Sequence, residues 1–584
     1  MVKDWSLILF FITSVSVLYV AYLLRAPFLR RYFKLTPTVK TPAHLQRDGM
    51  DFEPAKKTYL LSQHFSAIAA AGPIAGPILG AMYFGWFPAW VWIIVGSIFI
   101  GGIHDLAVLV ASIRHRALSM AKLAQQHMNR RSFLLVLFFV WFTLVYLIVV
   151  FADITAGAFV QQSGDPAMPA PGPAVVTSSV LYIGLAMVMG LAIRFAGIST
   201  DKARLIFLPL VVFVIVIGPS IPFDITRLHA FARPQLIWDY LLLGYCFMSS
   251  IMPVWLLLQP RGDLGGYFLY LIMLTGIAGG IIGGVTGTLD IQAPAFTGFS
   301  FLTSSLSDAG KTIPPLFPIL FITIACGACS GFHSIVAAGT TSKQLDEEPD
   351  AVPVAYGGML MEAVIACISL AAFMIIANPQ RTPDADYAMG VAMFINRATL
   401  GHVPIHLALQ FGLLCFATFV FDSLDSATRM ARYIFMELTG WTGTAGRVVA
   451  TLLTLLVPAG MMSLPPVVMD GKPAPSWKVF WNIFGTSNQL LAALSLLIVS
   501  IWLFREGKRI WLTALPAVFM LVMTFWSLGL MSFDYFSRLA AGTALALHHV
   551  QFLVVLSLIV VAVWICVEAV RFFLSNRPAA PAAA

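Results

Sequence analysis

Apolar runs of about twenty residues or more recur along this chain, the first from Trp5 to Leu24 and the last near 547 to 573, and that length is what an α-helix needs to cross a bilayer. A single soluble core cannot hide so many. In lipid, helices satisfy their backbone polar groups within their own segment. Composition agrees, since 59% of the 584 residues are hydrophobic and 11% charged, against about 45–50% and 25% in soluble domains. The expected fold class is therefore an all-α polytopic membrane protein. Counting runs gives about fifteen transmembrane helices, at 5–24, 64–84, 88–113, 131–161, 175–197, 204–222, 237–258, 267–287, 314–340, 352–378, 403–424, 446–464, 478–503, 509–531 and 547–573.

The net charge of +8 does not point to nucleic acid, because the basic residues fall in short loops between the runs rather than on one face. Membrane orientation explains them better. The loop from Arg25 to Lys57 carries eight Lys and Arg residues, which assigns it to the cytoplasm. Later segments on the same side then hold Arg114, Arg116, Lys122, Arg130 and Arg131, then Arg194, Lys202 and Arg204, then Arg261, then Arg505, Lys508 and Arg509, and finally the tail with Arg571 and Arg577. Loops on the other side, such as 162–174, are mostly poor in Lys and Arg, with Arg227, Arg233, Arg381 and Arg397 as exceptions. The N-terminus is thus expected outside and the C-terminus inside. The first run ends in Leu23-Leu24-Arg25 without a small-residue cleavage site and reads as a retained span. The segment Pro578–Ala584 reads as a disordered tail, and six cysteines inside apolar segments argue against a disulfide framework.

Within the second run stands Gly72-Pro73-Ile74-Ala75-Gly76-Pro77. A proline has no N–H, so Pro73 and Pro77 leave the carbonyls of Ala69 and Pro73 without helical partners. Backbone freed at membrane depth is tolerated only against protein or a wet cavity, and a new helical half beyond the break favours an anion at its N-terminus. A second interruption is expected at Ser249-Ser250-Ile251-Met252-Pro253, where Pro253 frees the carbonyl of Ser249. It lies in the sixth span counted from the first break, and paired interruptions in matching positions mark the inverted repeats of secondary transporters. The expected organisation is an N-terminal helix and basic loop (1–63), two inverted five-helix sets (64–222 and 237–440), four accessory helices (446–573) and a tail (574–584). Gly72, Pro73, Gly76, Pro77, Ser249, Ser250 and Pro253 are the expected substrate-binding residues, joined by Ser330 and His333 from the span 314–340.

Ionisable residues deep in spans are costly and mark functional candidates. His104 and Asp105 relay a proton or orient neighbouring backbone; Glu362 loads and releases protons or pairs with a cation from another helix. Asp422, Asp425 and Arg429 stand at the cytoplasmic end of their expected span as an i,i+4 surface pair or an inner gate. Ser330, His333 and Ser334 are placed to bind substrate or to add hydroxyl ligands to a sodium site. Cys326 and Cys329 lack further zinc ligands at suitable spacing and read as packing residues. The polar entry Trp477 to Gln489, with Asn482, Thr486, Ser487, Asn488 and Gln489, reads as interhelical hydrogen bonding. No phosphate loop or nucleotide fingerprint occurs, so neither an ATP-driven pump nor an enzyme is expected, and no cofactor or metal beyond a coupling proton or sodium ion.

At Gly72-Pro-Ile-Ala-Gly-Pro-Ile-Leu-Gly80, Gly102-Ile-His-Asp105, Met252-Pro-Val-Trp-Leu-Leu-Leu258, Ala325-Cys-Gly327 with Ser330-Gly-Phe-His333, Gly339-Thr-Thr-Ser-Lys-Gln-Leu345 and Phe484-Gly-Thr-Ser-Asn-Gln489, the chain resembles the carbon starvation protein A (CstA) family of bacterial inner-membrane transporters. The resemblance implies uptake of small nutrients such as peptides or pyruvate when carbon is scarce, and kinship with leucine-transporter-like carriers. The resulting expectation is a secondary importer of small carboxylate-bearing molecules in the lipid bilayer, proton-coupled, with a sodium symporter, a passive channel and a nutrient sensor as alternatives. Nucleic acid is not an expected partner, and self-association into a homo-oligomer is left open.

Overall fold

Twelve helices are long and apolar enough to cross a membrane among the described residues, thirteen if one bent pair is counted as a span. The computed structural model describes residues 5–69, 71–127, 130–161, 171–225, 233–298, 305–306, 312–379, 382–464, 467–469, 472–474, 476–542 and 546–575. Arg227, Arg381, most of the loop 162–174 and the tail from 576 onward lie outside them. Two short antiparallel hairpins, Ser305–Leu306 with Thr312–Ile313 and Val467–Met469 with Lys472–Ala474, sit between helices. The chain is a multi-pass membrane protein.

The twelve spans match twelve of the fifteen expected runs; the other three differ, each for a local reason. The run 64–84 is the bent pair, Lys57–Ile68 and Gly72–Phe84, meeting at 42°. Its break falls between the end of the first helix at Ile68 and the start of the second at Gly72, at the doubled Gly-Pro. Pro73 takes the first turn of the new helix, where a missing N–H costs nothing, and Pro77 lies inside that helix.

The second expected interruption is corrected. Helix Pro234–Ile251 ends, Met252 is extended, and a turn leads into a separate helix, Leu258–Thr286. Pro253 therefore separates two helices rather than breaking one. Val254 N–H donates to the Met50 carbonyl at 3.1 Å, which places this turn against the basic loop. The second true break is in the run 314–340, which forms three short helices, Leu316–Thr323, Ala325–Ala328 and Gly331–Gly339. Small residues from Cys326 to Gly331, two of them glycine, offer little to hold a continuous helix. This break falls in the third span of the second expected set, so the matching positions expected of a five-plus-five repeat do not hold.

Two further helical features depart from expectation. Pro383–Ala398 forms a largely buried helix where a loop is expected. The run 403–424 extends into a 35-residue helix, Ile405–Thr439, so Asp422, Asp425 and Arg429 lie within it rather than at its end.

The alternation of loops is reproduced in space. At one end Arg114 donates to Glu348 at 2.6 Å, Gln46 to the Arg116 carbonyl at 3.1 Å and Arg505 to the Gln126 carbonyl at 3.3 Å, with Lys122 3.5 Å from Glu437. At the other, Phe87 N–H donates to the Ala295 carbonyl at 3.0 Å and Gln292 N–H to the Met374 carbonyl at 2.7 Å.

Candidate functional site

The two broken elements cross. A Cβ built on Gly327 would stand 3.6 Å from Cα of Pro73, and one built on Gly72 would overlap the Cys326 side chain. Glycine here serves close approach of backbone to backbone. On the far side of the crossing, the helix Ser476–Arg505 caps the second break. Asn488 Oδ1 accepts from Phe332 N–H at 2.8 Å and from the Ser330 hydroxyl at 3.2 Å. One of the free N–H groups opening Gly331–Gly339 is thereby satisfied. Cys326 adds its sulfur as an acceptor for Asn488 Nδ2 at 3.2 Å.

Beneath this cap lies a chain of buried titratable groups. His104 Nδ1 is 2.8 Å from Asp105 Oδ1, and His333 Nδ1 is 2.8 Å from Asp105 Oδ2. The other ring nitrogen of His333 approaches Glu362 Oε2 at 3.3 Å. None of these side chains is more than 1% exposed. Among the described residues His104 Nε2, His333 Nε2 and both Glu362 oxygens lack a hydrogen-bond partner, so capacity for a proton or a ligand is left over. Two irregularities position the acids. A π-helical stretch, Ser97–Gly101, precedes the helix carrying His104 and Asp105, and another, Val352–Gly357, precedes the helix carrying Glu362. Such stretches widen a turn and frequently occur at functional sites. His64, buried on the helix before the first break, holds Thr341 Oγ1 at 2.8 Å.

A second polar knot ties the first broken element to the long helix. Arg261 Nε donates to Asp422 Oδ1 at 2.6 Å, and its Nη1 lies 2.7 Å from Asp425 Oδ2. Tyr245 donates to Asp425 at 2.8 Å, and the Ser66 hydroxyl donates to Asp422. Arg429 does not pair with Asp425, contrary to the i,i+4 expectation. It donates to the carbonyls of Ser249 at 2.8 Å and Met252 at 2.6 Å, and lies 3.2 Å from Asp51. The carbonyl freed by Pro253 is thus taken by a cation of the protein itself.

Of the expected substrate-binding residues, Gly72, Pro73 and Gly76 lie against the second broken element, Pro77 follows on the same helix, and Ser330 and His333 stand at the second break, against Asn488 and between Asp105 and Glu362. Ser249 and Ser250 lie elsewhere, Ser249 against Arg429 and Ser250 3.4 Å from Thr451. His104, Asp105 and Glu362 converge on His333. Arg261 reads in the sequence only as a loop charge, although Pro260-Arg261-Gly262-Asp263 at the head of a span is a usable signal.

Two crossed, broken helices around buried ionisable side chains, set in a bundle of spans, define a membrane transporter rather than a receptor-like or structural bundle. The chain matches the family described as carbon starvation protein CstA over residues 6–382 and 376–527, and it belongs to that family. Its curated relatives are transporters by name. They include the pyruvate/proton symporter BtsT of Escherichia coli K12, 29% identical over 90% of this chain and 81% of that one. The peptide transporter CstA of Helicobacter pylori J99 is 29% identical over 85% and 78%, and that of Escherichia coli K12 is 28% identical over 88% and 79%. Among solved structures, an Eremococcus coleocola manganese transporter aligns over 90% of this chain and 99% of its own at 14% identity, with a TM-score of 0.42.

Proposed function

We propose that this protein is a proton-coupled secondary importer of small carboxylate-bearing nutrients, pyruvate or short peptides, across the bacterial inner membrane when carbon is scarce. The observation that carries the proposal is His333, set on one broken helix between Asp105 and Glu362, which come from two other helices. With both ring nitrogens protonated, His333 bridges two carboxylates; with one proton, it accepts from a protonated Glu362. Shifting a proton along this chain changes how tightly the second broken element is held to the helices carrying Asp105 and Glu362, which is the coupling a symporter requires. The alternation of spans sends the two broken elements across the membrane in opposite senses, which supports an inverted pairing of helices around the site. Relatives named for pyruvate/proton symport and for peptide transport support the substrate class. The N-terminus is periplasmic and the C-terminus cytoplasmic in this proposal.

The test is uptake of pyruvate, dialanine and trialanine by proteoliposomes, with pH and sodium gradients varied independently. An inward proton gradient accelerates uptake into wild type, and Glu362→Gln loses at least about tenfold of that acceleration while still exchanging substrate. Accumulation driven by sodium at constant pH, or undiminished proton-driven accumulation by Glu362→Gln, overturns the proposal.

A further inference from the structure

A cavity of about 530 Å³ opens at the end where the basic loops meet and runs inward to Ser334, the residue after His333. Its wall carries Arg116, Lys122, Lys343, Tyr433 and Glu437. The charges on this wall are unequally spent. Glu437 is taken by Lys122 at 3.5 Å and by the Ser119 hydroxyl at 3.0 Å. Asp51, behind the wall, pairs with Arg429 at 3.2 Å and attracts Lys343 only across a longer gap. Lys343 has no carboxylate within ion-pairing distance among the described residues; its ammonium sits 4.0 Å from the Tyr433 ring centroid and 5.3 Å from that of Phe52. Arg432 is 1% exposed and lies 4.4 Å from the Tyr433 ring centroid, with Nε and Nη2 lacking a hydrogen-bond partner among the described residues.

Five cations (Arg116, Lys122, Lys343, Arg429 and Arg432) thus face two carboxylates, Asp51 and Glu437, an excess of three positive charges in and behind the wall. A buried guanidinium with unpaired donors is costly. An ammonium held by aromatic faces keeps its N–H donors for a ligand. Both features call for an anion, and the volume is that of a small-molecule site.

We infer that this cavity is a release vestibule on the basic-loop face, in which Lys343 docks the carboxylate of the departing substrate. The inference rests on the transport proposal and adds a subsite to it. The ammonium, near both Tyr433 and Phe52, receives the carboxylate after it leaves the neighbourhood of His333, and the buried positive charge of Arg432, also against Tyr433, favours the anion. An anionic lipid headgroup shares this chemistry, so the lipid is controlled in the experiment.

The experiment compares wild type, Lys343→Gln and Lys343→Arg in proteoliposomes of zwitterionic lipid. Half-saturation for pyruvate and for trialanine is measured separately at each face by counterflow. Lys343→Gln is expected to raise half-saturation on the basic-loop face by about tenfold, leave the opposite face within about twofold, and be rescued by Lys343→Arg to within about threefold. An unchanged basic-loop-face value in Lys343→Gln overturns the inference, as does a shift that requires added anionic lipid. Trp441, which also lines the cavity, provides a readout independent of transport. Its fluorescence, isolated by comparison with Trp441→Phe, is titrated with the same two probes in detergent. Saturable quenching that Lys343→Gln weakens supports the subsite even if wild type moves no substrate, the case in which only the transport proposal falls. Absence of quenching together with absence of counterflow overturns both.

Discussion

Gly76 lies directly beneath the carbonyl of Thr323: a Cβ added at Gly76 would stand 2.7 Å from that oxygen and 3.3 Å from Cα of Ile324. Both partners are backbone and cannot swing aside, so a side chain here must push the two broken elements apart. Gly76→Ala is expected to reduce uptake by about tenfold and Gly76→Val to abolish it, with a stability cost of about 1–3 kcal/mol from overpacking. Gly460, with open space around its Cβ position, is the control; Gly460→Ala should transport normally. Wild-type uptake in Gly76→Val would show that the crossing is not part of the transport path.

Arg261 is wholly buried and serves both Asp422 and Asp425. Removing the shared cation leaves two carboxylates facing each other in a low dielectric, whereas removing one carboxylate leaves a compensated pair. Arg261→Gln should therefore lose about 3–5 kcal/mol and Asp422→Asn distinctly less. In the double variant the losses should fall short of additive, because the sites share one network. Unfolding followed by denaturant or heat in detergent reads all three. Additive losses, or an Arg261→Gln protein as stable as wild type, would rule out this charge accounting.

Much of this fold is written in local signals. Runs of about twenty apolar residues locate the twelve spans because lipid enforces helix on each run separately. The functional candidacy of His104, Asp105, His333 and Glu362 is legible one residue at a time, since each is an ionisable group where none is cheap. Their convergence on His333 is not, because it depends on which helices pack together. Pro253 shows the opposite failure. A proline near the end of an apolar run has the same local signature whether it breaks a span or ends one, and only the Met50 and Arg429 contacts distinguish the cases. The break at Cys329–Ser330 carries no proline at all; it is stabilised by Asn488, more than 150 residues away.

Asp51 sits in the basic loop, outside the spans, facing Arg429 with Lys343 nearby. Burial raises its carboxyl, but Lys343, Arg429, a hydrogen bond from Tyr433, and Arg432 together lower it more, and it stays below the ordinary carboxylate value. A carboxyl depressed in the folded state stabilises the fold above its unfolded pKa, about 4, and loses that contribution as pH falls through the lower folded value. Asp51→Asn is thus expected to cost about 1 kcal/mol at neutral pH, with the gap from wild type closing as the pH is lowered below about 4. Parallel stability curves for the two proteins across that range would exclude the Asp51 ion pair as a contributor.

Arg429, rather than Pro253, holds the turn at 252–257. The guanidinium donates to the carbonyl of Ser249 in the last turn of the preceding helix and to that of Met252 at the start of the turn, while Pro253 only restricts one φ in a segment that is already non-helical. Pro253→Ala should cost about 0.4–1 kcal/mol, the entropy a proline removes from the unfolded chain. Arg429→Met leaves those carbonyls and Asp51 without their donor and should cost about 3 kcal/mol. The same order is expected in transport, with Pro253→Ala near wild type. If Pro253→Ala instead abolished uptake while Arg429→Met was tolerated, the turn would have to act as an interrupted helix, and the second functional break would lie at Pro253 rather than at Cys329–Ser330.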